Sequence, residues 1–273
     1  MTHVLRHSRT WTLALAVILT AGLAAAQQKP FQPEVGQPGK DVVWVPTPEA
    51  MVEKMLDLAQ VTPRDFVMDL GSGDGRNIIA AAKRGAQSLG VEYNPDMVDL
   101  SKRAAATAGV ADKAQFVQGD MFKADISKAN VLALFLLPSN LLQLRSKFLE
   151  LQPGSRIVSN TFYIDGWTPD QTVQLDDCAS WCTALLYVVP AKATGTWRLP
   201  QGELTLTQEF QMLSGTLTAG GQSTQVTGRL RGDQITLTAG SQEYSGVLRG
   251  NEIDGTVRAG SGTSTWKATR TAN

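Results

Sequence analysis

The chain has 273 residues, 42% of them apolar, with 25 basic and 25 acidic side chains and a formal charge of zero. That length fits one large domain or a medium domain with a small companion, and the apolar content excludes a disordered chain. Balanced charge speaks against a nucleic-acid binder that relies on a basic field, so no nucleic-acid partner is expected. Two cysteines exclude a disulfide-dense scaffold and an all-cysteine zinc site. Both histidines, His3 and His7, lie in the first ten residues. Ser-His hydrolases and His-liganded zinc enzymes are therefore excluded, and no metal site is expected.

Residues 1–26 read as a secretory signal peptide. Arg6 and Arg9 precede an uncharged stretch, residues 11–25, and Ala24-Ala25-Ala26 places small residues before Gln27. The stretch is short of the roughly 20 apolar residues of a spanning helix. An uncleaved membrane anchor is the alternative. Cleavage leaves 23 basic against 25 acidic side chains. A periplasmic or extracellular location is the expectation. Residues 27–43 carry Pro30, Pro33 and Pro38 and read as an extended linker.

Residues 44–194 alternate helix and strand. Thr47 is placed to cap a first helix with Pro48 at its first position, and Met51, Met55, Leu58 and Ala59 follow at helical spacing. Strands are expected at Phe66–Leu70, Gln87–Glu92, Ala114–Gln118, 131–137 and 155–162. Helices are expected at Arg76–Lys83, 95–108 and 141–151. Residues 131–137 are apolar throughout, as in a strand covered on both faces. The expected class is α/β: a Rossmann-like parallel sheet with helices on both faces and its ligand at the carboxyl ends of the strands.

From Gly195 to residue 273 the pattern changes to Thr, Gly and Ser with alternating apolar residues. Gly228-Arg229-Leu230-Arg231-Gly232-Asp233-Gln234-Ile235 recurs 18 residues later as Gly246-Val247-Leu248-Arg249-Gly250-Asn251-Glu252-Ile253. Residues 195–273 read as a small antiparallel β domain, a meander or half-open barrel. Arg231-Gly232-Asp233 reads as a hairpin turn and not as an adhesion tripeptide, because its sister copy lacks the Asp.

Three acids fall at meaningful positions. Asp69-Leu70-Gly71-Ser72-Gly73-Asp74-Gly75 follows the first strand and opens a helix. Glu92 ends the second strand and Asp120 follows the third. Glycines let the backbone approach a ligand. An acid ending the second strand can accept both ribose hydroxyls, and one after the third can accept from the adenine amine. The dinucleotide fingerprint fails at Arg76, and the P-loop pattern is absent. Asp69 would repel a pyrophosphate but suits a ligand with an ammonium group. S-adenosylmethionine fits all three acids.

On these residues the chain resembles the class I S-adenosylmethionine-dependent methyltransferases. It is most similar to the small lysine methyltransferases that include the ATP synthase c-subunit enzyme, and distantly similar to the histone-lysine methyltransferases of the same fold. Val45-Pro46-Thr47-Pro48, the run Asp69 to Arg76, Gly90-Val91-Glu92-Tyr93-Asn94-Pro95, Leu136-Leu137-Pro138, Arg156-Ile157-Val158-Ser159 and Gly166-Trp167-Thr168-Pro169-Asp170 carry the likeness. The resemblance implies S-adenosyl-L-methionine as cofactor. Its implied contacts are Thr47, Asp69, Gly71, Ser72, Gly73, Gly75, Glu92, Tyr93, Asn94, Asp120, Met121 and Phe122. It also implies direct methyl transfer to a protein lysine or other amine, with an acceptor pocket at Leu137, Pro138, Ser139 and Phe162. Phe135 and Leu136 are expected in the sheet core.

Other readings are a small-molecule methyltransferase and an exported, non-catalytic binding protein that keeps the fold. Residues 195–273 are the candidate for envelope contact or substrate presentation. Cys178 and Cys182 stand as a short-loop disulfide or as two buried thiols.

Overall fold

The computed structural model describes residues 1–2 and 31–271. The signal-peptide reading of residues 1–26 lies outside the described residues apart from Met1 and Thr2. Seven strands form one sheet: β1 Phe66–Leu70, β2 Gln87–Glu92, β3 Ala114–Gln118, β4 Val131–Leu134, β5 Arg156–Asn160, β6 Gln171–Gln174 and β7 Thr183–Val188. Their order is β3-β2-β1-β4-β5-β7-β6. Strands β1 to β5 pair in parallel. Strand β7 runs antiparallel to both β5 and β6. The order reverses between β1 and β4, which opens a crevice at their carboxyl ends.

Helices cover both faces. On one, α1 Glu49–Leu58, α2 Arg76–Lys83 and α3 Pro95–Thr107 set Met51, Met55, Ile78 and Val98 against Val67, Val131 and Val158. On the other, α4 Pro138–Phe148 sets Leu141, Leu144 and Phe148 against Met68, Leu132 and Ile157. The alternation of Val67 with Met68 and of Val131 with Leu132 sends successive side chains to opposite layers.

The expected elements lack β6 and β7, whose antiparallel pairings make the sheet mixed and not wholly parallel, and they differ from the others mainly at the carboxyl ends. Strand β4 stops at Leu134, because Leu137 turns the chain and Pro138 begins α4 three residues earlier than its apolar spacing implies. Strand β5 stops at Asn160, where Thr161 takes a left-handed φ of 62°. Thr47 does not cap α1. Pro48 holds that position, its carbonyl accepting from the N–H groups of Met51 and Val52. The Thr47 carbonyl instead accepts from Arg76 Nη1 at 2.6 Å, which ties the chain to the glycine loop.

The remaining strands form a closed eight-stranded barrel, not a half-open one: β8 Gly195–Leu199, β9 Gly202–Glu209, β10 Met212–Ala219, β11 Gln222–Arg231, β12 Gln234–Ala239, β13 Gln242–Arg249, β14 Glu252–Ala259 and β15 Gly262–Arg270. Closure comes from β15 pairing with β8, Thr269 opposite Arg198 and Arg270 opposite Trp197. Strand glycines allow the curvature. A Cβ on Gly215 would meet the Thr205 carbonyl oxygen at 1.9 Å, and one on Gly255 the Ser245 carbonyl oxygen at the same distance.

Trp197 is 0% exposed in the barrel core, and its Nε1 donates to the Ala193 carbonyl at 2.9 Å. Trp197→Ala is expected to cost about 3–5 kcal/mol. The check is a fall in the urea midpoint of unfolding.

The barrel docks at the amino-end edge of the sheet, away from the crevice. Gly232, in the Arg231-Gly232-Asp233 turn, is buried with a φ of 63° and sits against Gly154. Its carbonyl accepts from Ala191 N at 2.8 Å. Asp170 Oδ2 accepts from Val188 N, and its Oδ1 pairs with Arg229 at 2.5 Å. Trp167 stacks on Phe210 with ring centroids 5.6 Å apart. The Arg-Gly-Asp turn is thus a packed hairpin. The Trp167 to Asp170 run, which carries part of the family likeness, anchors the barrel.

Candidate functional site

The glycine loop is held by hydrogen bonds from three directions. Gly71 N and Ser72 N donate to the Val91 carbonyl at 2.8 and 3.1 Å. Gly73 N donates to Glu92 Oε2 at 2.9 Å, and the Gly73 carbonyl accepts from Ser101 Oγ at 3.0 Å. Gly73 has a φ of 55°, and a Cβ there would lie 2.8 Å from Trp44 Nε1. Only glycine meets both conditions. Gly75 faces elsewhere: its Cβ would strike the Phe116 ring at 2.6 Å, so it serves the packing of α2 and α3 on β3.

Beside the loop lies a cleft, open to solvent, at the carboxyl ends of β1, β2 and β4. Among the predicted residues, Gly71, Gly73, Glu92, Tyr93, Asn94 and Met121 line it. Glu92 is preorganised, its Oε1 accepting from Asn94 N at 2.9 Å while Oε2 holds Gly73. Asp120 flanks the lining residues Gly119 and Met121. Its Oδ1 accepts from Phe122 N and its Oδ2 pairs with Lys40 Nζ, both at 2.9 Å. The Lys40 ammonium holds the Asp120 carboxyl below the usual carboxylate range.

Thr47, Ser72 and Phe122 do not line the cleft. Thr47 and Ser72 are buried, and Ser72 Oγ has no hydrogen-bond partner among the described residues. Asp69 lies behind the loop, 3% exposed, where Asn77 Nδ2 donates to its Oδ2 at 2.9 Å. Burial, with smaller help from Glu92 and Asp74, pushes Asp69 up to about 7 against the opposing Asn77 hydrogen bond.

Sequence reasoning missed one whole wall. Residues 37–43, read as part of a linker, lie across the cleft together with Trp44 and Val45. Lys40 reaches Asp120 and also sits 5.0 Å from the Tyr93 ring centroid. The placement of a Trp and a Lys just ahead of α1 was the available signal. Phe135 is a further correction. Leu136 is core, 1% exposed, but Phe135 is half-buried and lines the cleft. The turn after β4 alternates their directions. Leu137, Pro138 and Ser139 are exposed at the head of α4, and Phe162 follows β5.

This fold and this cleft together define a class I S-adenosylmethionine-dependent methyltransferase. The glycines leave room beside a preorganised carboxylate, and Val91, Met97, Met121 and Phe135 supply apolar walls, which fits an adenosine-bearing ligand.

Comparison with known proteins agrees. The ANTKMT methyltransferase domain family matches residues 69–171. A protein-lysine N-methyltransferase of Saccharolobus islandicus is 41% identical over 54% of this chain and 94% of its own length. The mouse lysine N-methyltransferase of the ATP synthase c-subunit is 37% identical over 47% of this chain, which spans 52% of that relative. The crystal structure of an RNA methyltransferase from Salinibacter ruber, in complex with S-adenosyl-L-homocysteine, is 44% identical. It superposes with a TM-score of 0.52 over 55% of this chain and 96% of that one. The chain belongs to the family of these S-adenosylmethionine-dependent methyltransferases.

Proposed function

We propose that the protein methylates lysine side chains of a protein, with the cofactor held in the cleft beside the glycine loop. The observation that carries the site is Glu92, fixed by two backbone N–H groups on the cleft wall. In this reading Glu92 accepts the ribose hydroxyls and Asp120 the adenine amine. Gly71 and Gly73 admit the amino-acid end near the buried charge of Asp69. Bound S-adenosylmethionine supplies a methyl group on a sulfonium, so no further activation of that carbon is required.

The acceptor amine must arrive neutral, and Phe135 after β4 with Phe162 after β5 favour that form by desolvation. With the cofactor bound, the amine lone pair would take the methyl group and the carbon–sulfur electron pair would stay on sulfur. The methylammonium product gives its proton to solvent. The protein aligns the amine and excludes water.

The names of the archaeal and mouse relatives support lysine as acceptor. The Salinibacter relative is described as acting on RNA, which favours RNA as a second reading. The test supplies methyl-labelled S-adenosylmethionine with lysine-rich proteins or total RNA. Label recovered as methyl-lysine after acid hydrolysis is the expected result. Label in ribonuclease-sensitive material, or in an organic extract, would overturn it.

Lys40 Nζ pairs with Asp120 Oδ2 at 2.9 Å and so competes for the carboxylate that the adenine amine would use, and Lys40→Met is expected to tighten cofactor binding two- to fivefold. Calorimetry at two salt concentrations checks this, since the wild-type disadvantage shrinks as salt screens the exposed pair.

Export by residues 1–26 is part of the proposal. The disulfide Cys178–Cys182 supports it, because such bonds persist in oxidising compartments. The barrel, docked away from the cleft, is proposed to contact the envelope and not to present substrate. N-terminal sequencing of protein recovered from cell fractions tests the first point. Binding of the protein to isolated envelopes, with and without residues 195–273, tests the second.

A further inference from the structure

We propose that Phe135, Phe162 and Trp181 form the aromatic wall that receives the acceptor's alkylammonium head, with the Cys178–Cys182 disulfide holding Trp181 in place. The inference rests on the methyl-transfer reading above and specifies its acceptor side.

Three elements supply the rings. Phe135 follows β4, Phe162 follows β5, and Trp181 stands in the loop between β6 and β7. Phe135 and Phe162 are near parallel, with centroids 6.1 Å apart and planes at 15°. Trp181 closes the triangle at 5.4 Å from Phe135 and 5.6 Å from Phe162, tilted to both. All three rings are half-buried, so they keep surface to offer. Phe135 also lines the cofactor cleft, so the cluster borders the place where a methyl group would be presented. Leu137 and Tyr163, close in sequence to Phe135 and Phe162, are 38% and 55% exposed.

The loop is held in an unfavourable backbone. Asp177 and Trp181 have φ values of 52° and 60°, as Thr161 after β5 has 62°, the left-handed region, which a bulky residue such as Trp rarely enters. Such conformations persist only where the surroundings over-determine them, and they gather at functional sites. Here the constraint is visible: the disulfide closes the loop on both sides of Trp181. A hydrophobic core has no need of a strained Trp on an exposed loop.

The chemistry selects the guest. Aromatic faces attract ammonium and methylated ammonium groups. Desolvation by the same rings opposes that attraction, so the amine attacks once its proton has passed to solvent. Asp176 and Asp177, exposed just before Cys178, give the approach a negative charge suited to a cationic side chain. A nucleotide would gain stacking of its base on the rings, but its phosphate would be repelled by these carboxylates.

The test uses the purified protein saturated with S-adenosylhomocysteine and titrated with n-butylamine and butyltrimethylammonium, which copy a lysine head and its fully methylated form. Trp181→Ala is expected to weaken both about tenfold, and Trp181→Phe to recover most of the loss. The double variant Cys178→Ser/Cys182→Ser, which keeps the indole, should approach Trp181→Ala. S-adenosylhomocysteine affinity should stay within twofold in all three, which also shows that the variants are folded. In turnover with a lysine-containing acceptor, KM should rise more than kcat falls. Unchanged alkylammonium affinity in Trp181→Ala, with S-adenosylhomocysteine still bound, overturns this inference alone. Tighter binding of uridine monophosphate than of butyltrimethylammonium overturns it in favour of base stacking. Failure of the wild type to bind S-adenosylhomocysteine overturns the methyl-transfer reading itself.

Discussion

Glu92→Gln is expected to weaken S-adenosylmethionine binding by 10- to 100-fold. The carboxylate accepts Gly73 N with one oxygen and Asn94 N with the other, each at 2.9 Å. Glutamine can accept only with its single oxygen, so one backbone N–H would face an NH₂ group. Either the glycine loop or the turn into α3 must shift. The ribose hydroxyls would also lose a charged acceptor, and hydrogen bonds to charged groups contribute about 1.5–3 kcal/mol each. Calorimetry on the purified protein reads the affinity directly. A dissociation constant within threefold of wild type would remove Glu92 from the site. Thermal unfolding should move by only a few degrees, since Glu92 lies at the rim of the core and not within it.

The second large effect concerns Asp69 and pH. Buried behind the loop, its carboxyl is pushed up to about 7 from an ordinary value of 3.8. The folded state therefore binds this proton more tightly than the unfolded chain does. Its contribution to stability is fully present below pH 3.8 and is lost as pH rises through about 7. The slope from this group approaches about 1.4 kcal/mol per pH unit, for a total on the order of 4 kcal/mol.

Asp69→Asn keeps an acceptor for Asn77 and removes the titration. The ligand-free variant is expected to unfold at a higher urea concentration than wild type at pH 8, and the two should converge at pH 4. Cofactor binding should respond in the opposite sense. An ammonium group near the loop favours the charged carboxylate, so wild-type affinity should rise from pH 6 to 8 while the variant stays flat and weaker. A variant less stable than wild type at pH 8 would show that the Asp69 charge is compensated by the fold.

Much of the site was legible because its residues are close in sequence and punctuate regular elements. Strand β1 ends in Asp69-Leu70, the glycines turn, and α2 begins at Arg76. Glu92 closes β2 in the same way. In a parallel sheet every such end falls on one edge, so three local patterns imply one shared ligand. The roles behind the pattern were less legible. Gly75 resembles its two neighbours in the sequence, yet the Phe116 ring, from β3, is what requires it. Asp69 carries a charge suited to an ammonium group, but it is Asn77, the second residue of α2, that faces it. Phe135 and Leu136 are both apolar. Only the turn after β4 sends one to the cleft and the other to the core.

By itself, the sequence determined the alternation of strands and helices in residues 44–194, the glycine loop with its acids at strand ends, and the antiparallel character of residues 195–273. These follow from periodicity, turn chemistry and the twofold alternation of side chains, all of them short-range. Tertiary structure decided the rest. It laid Lys40 and Trp44 across the cleft, closed the barrel through β15 on β8, and docked that barrel on Trp167 and Asp170 at the far end of the sheet. It also carried Trp181 to Phe135 and Phe162. Each of these joins residues tens of positions apart. Their contact depends on how the packed layers orient the loops between them, which no local pattern encodes.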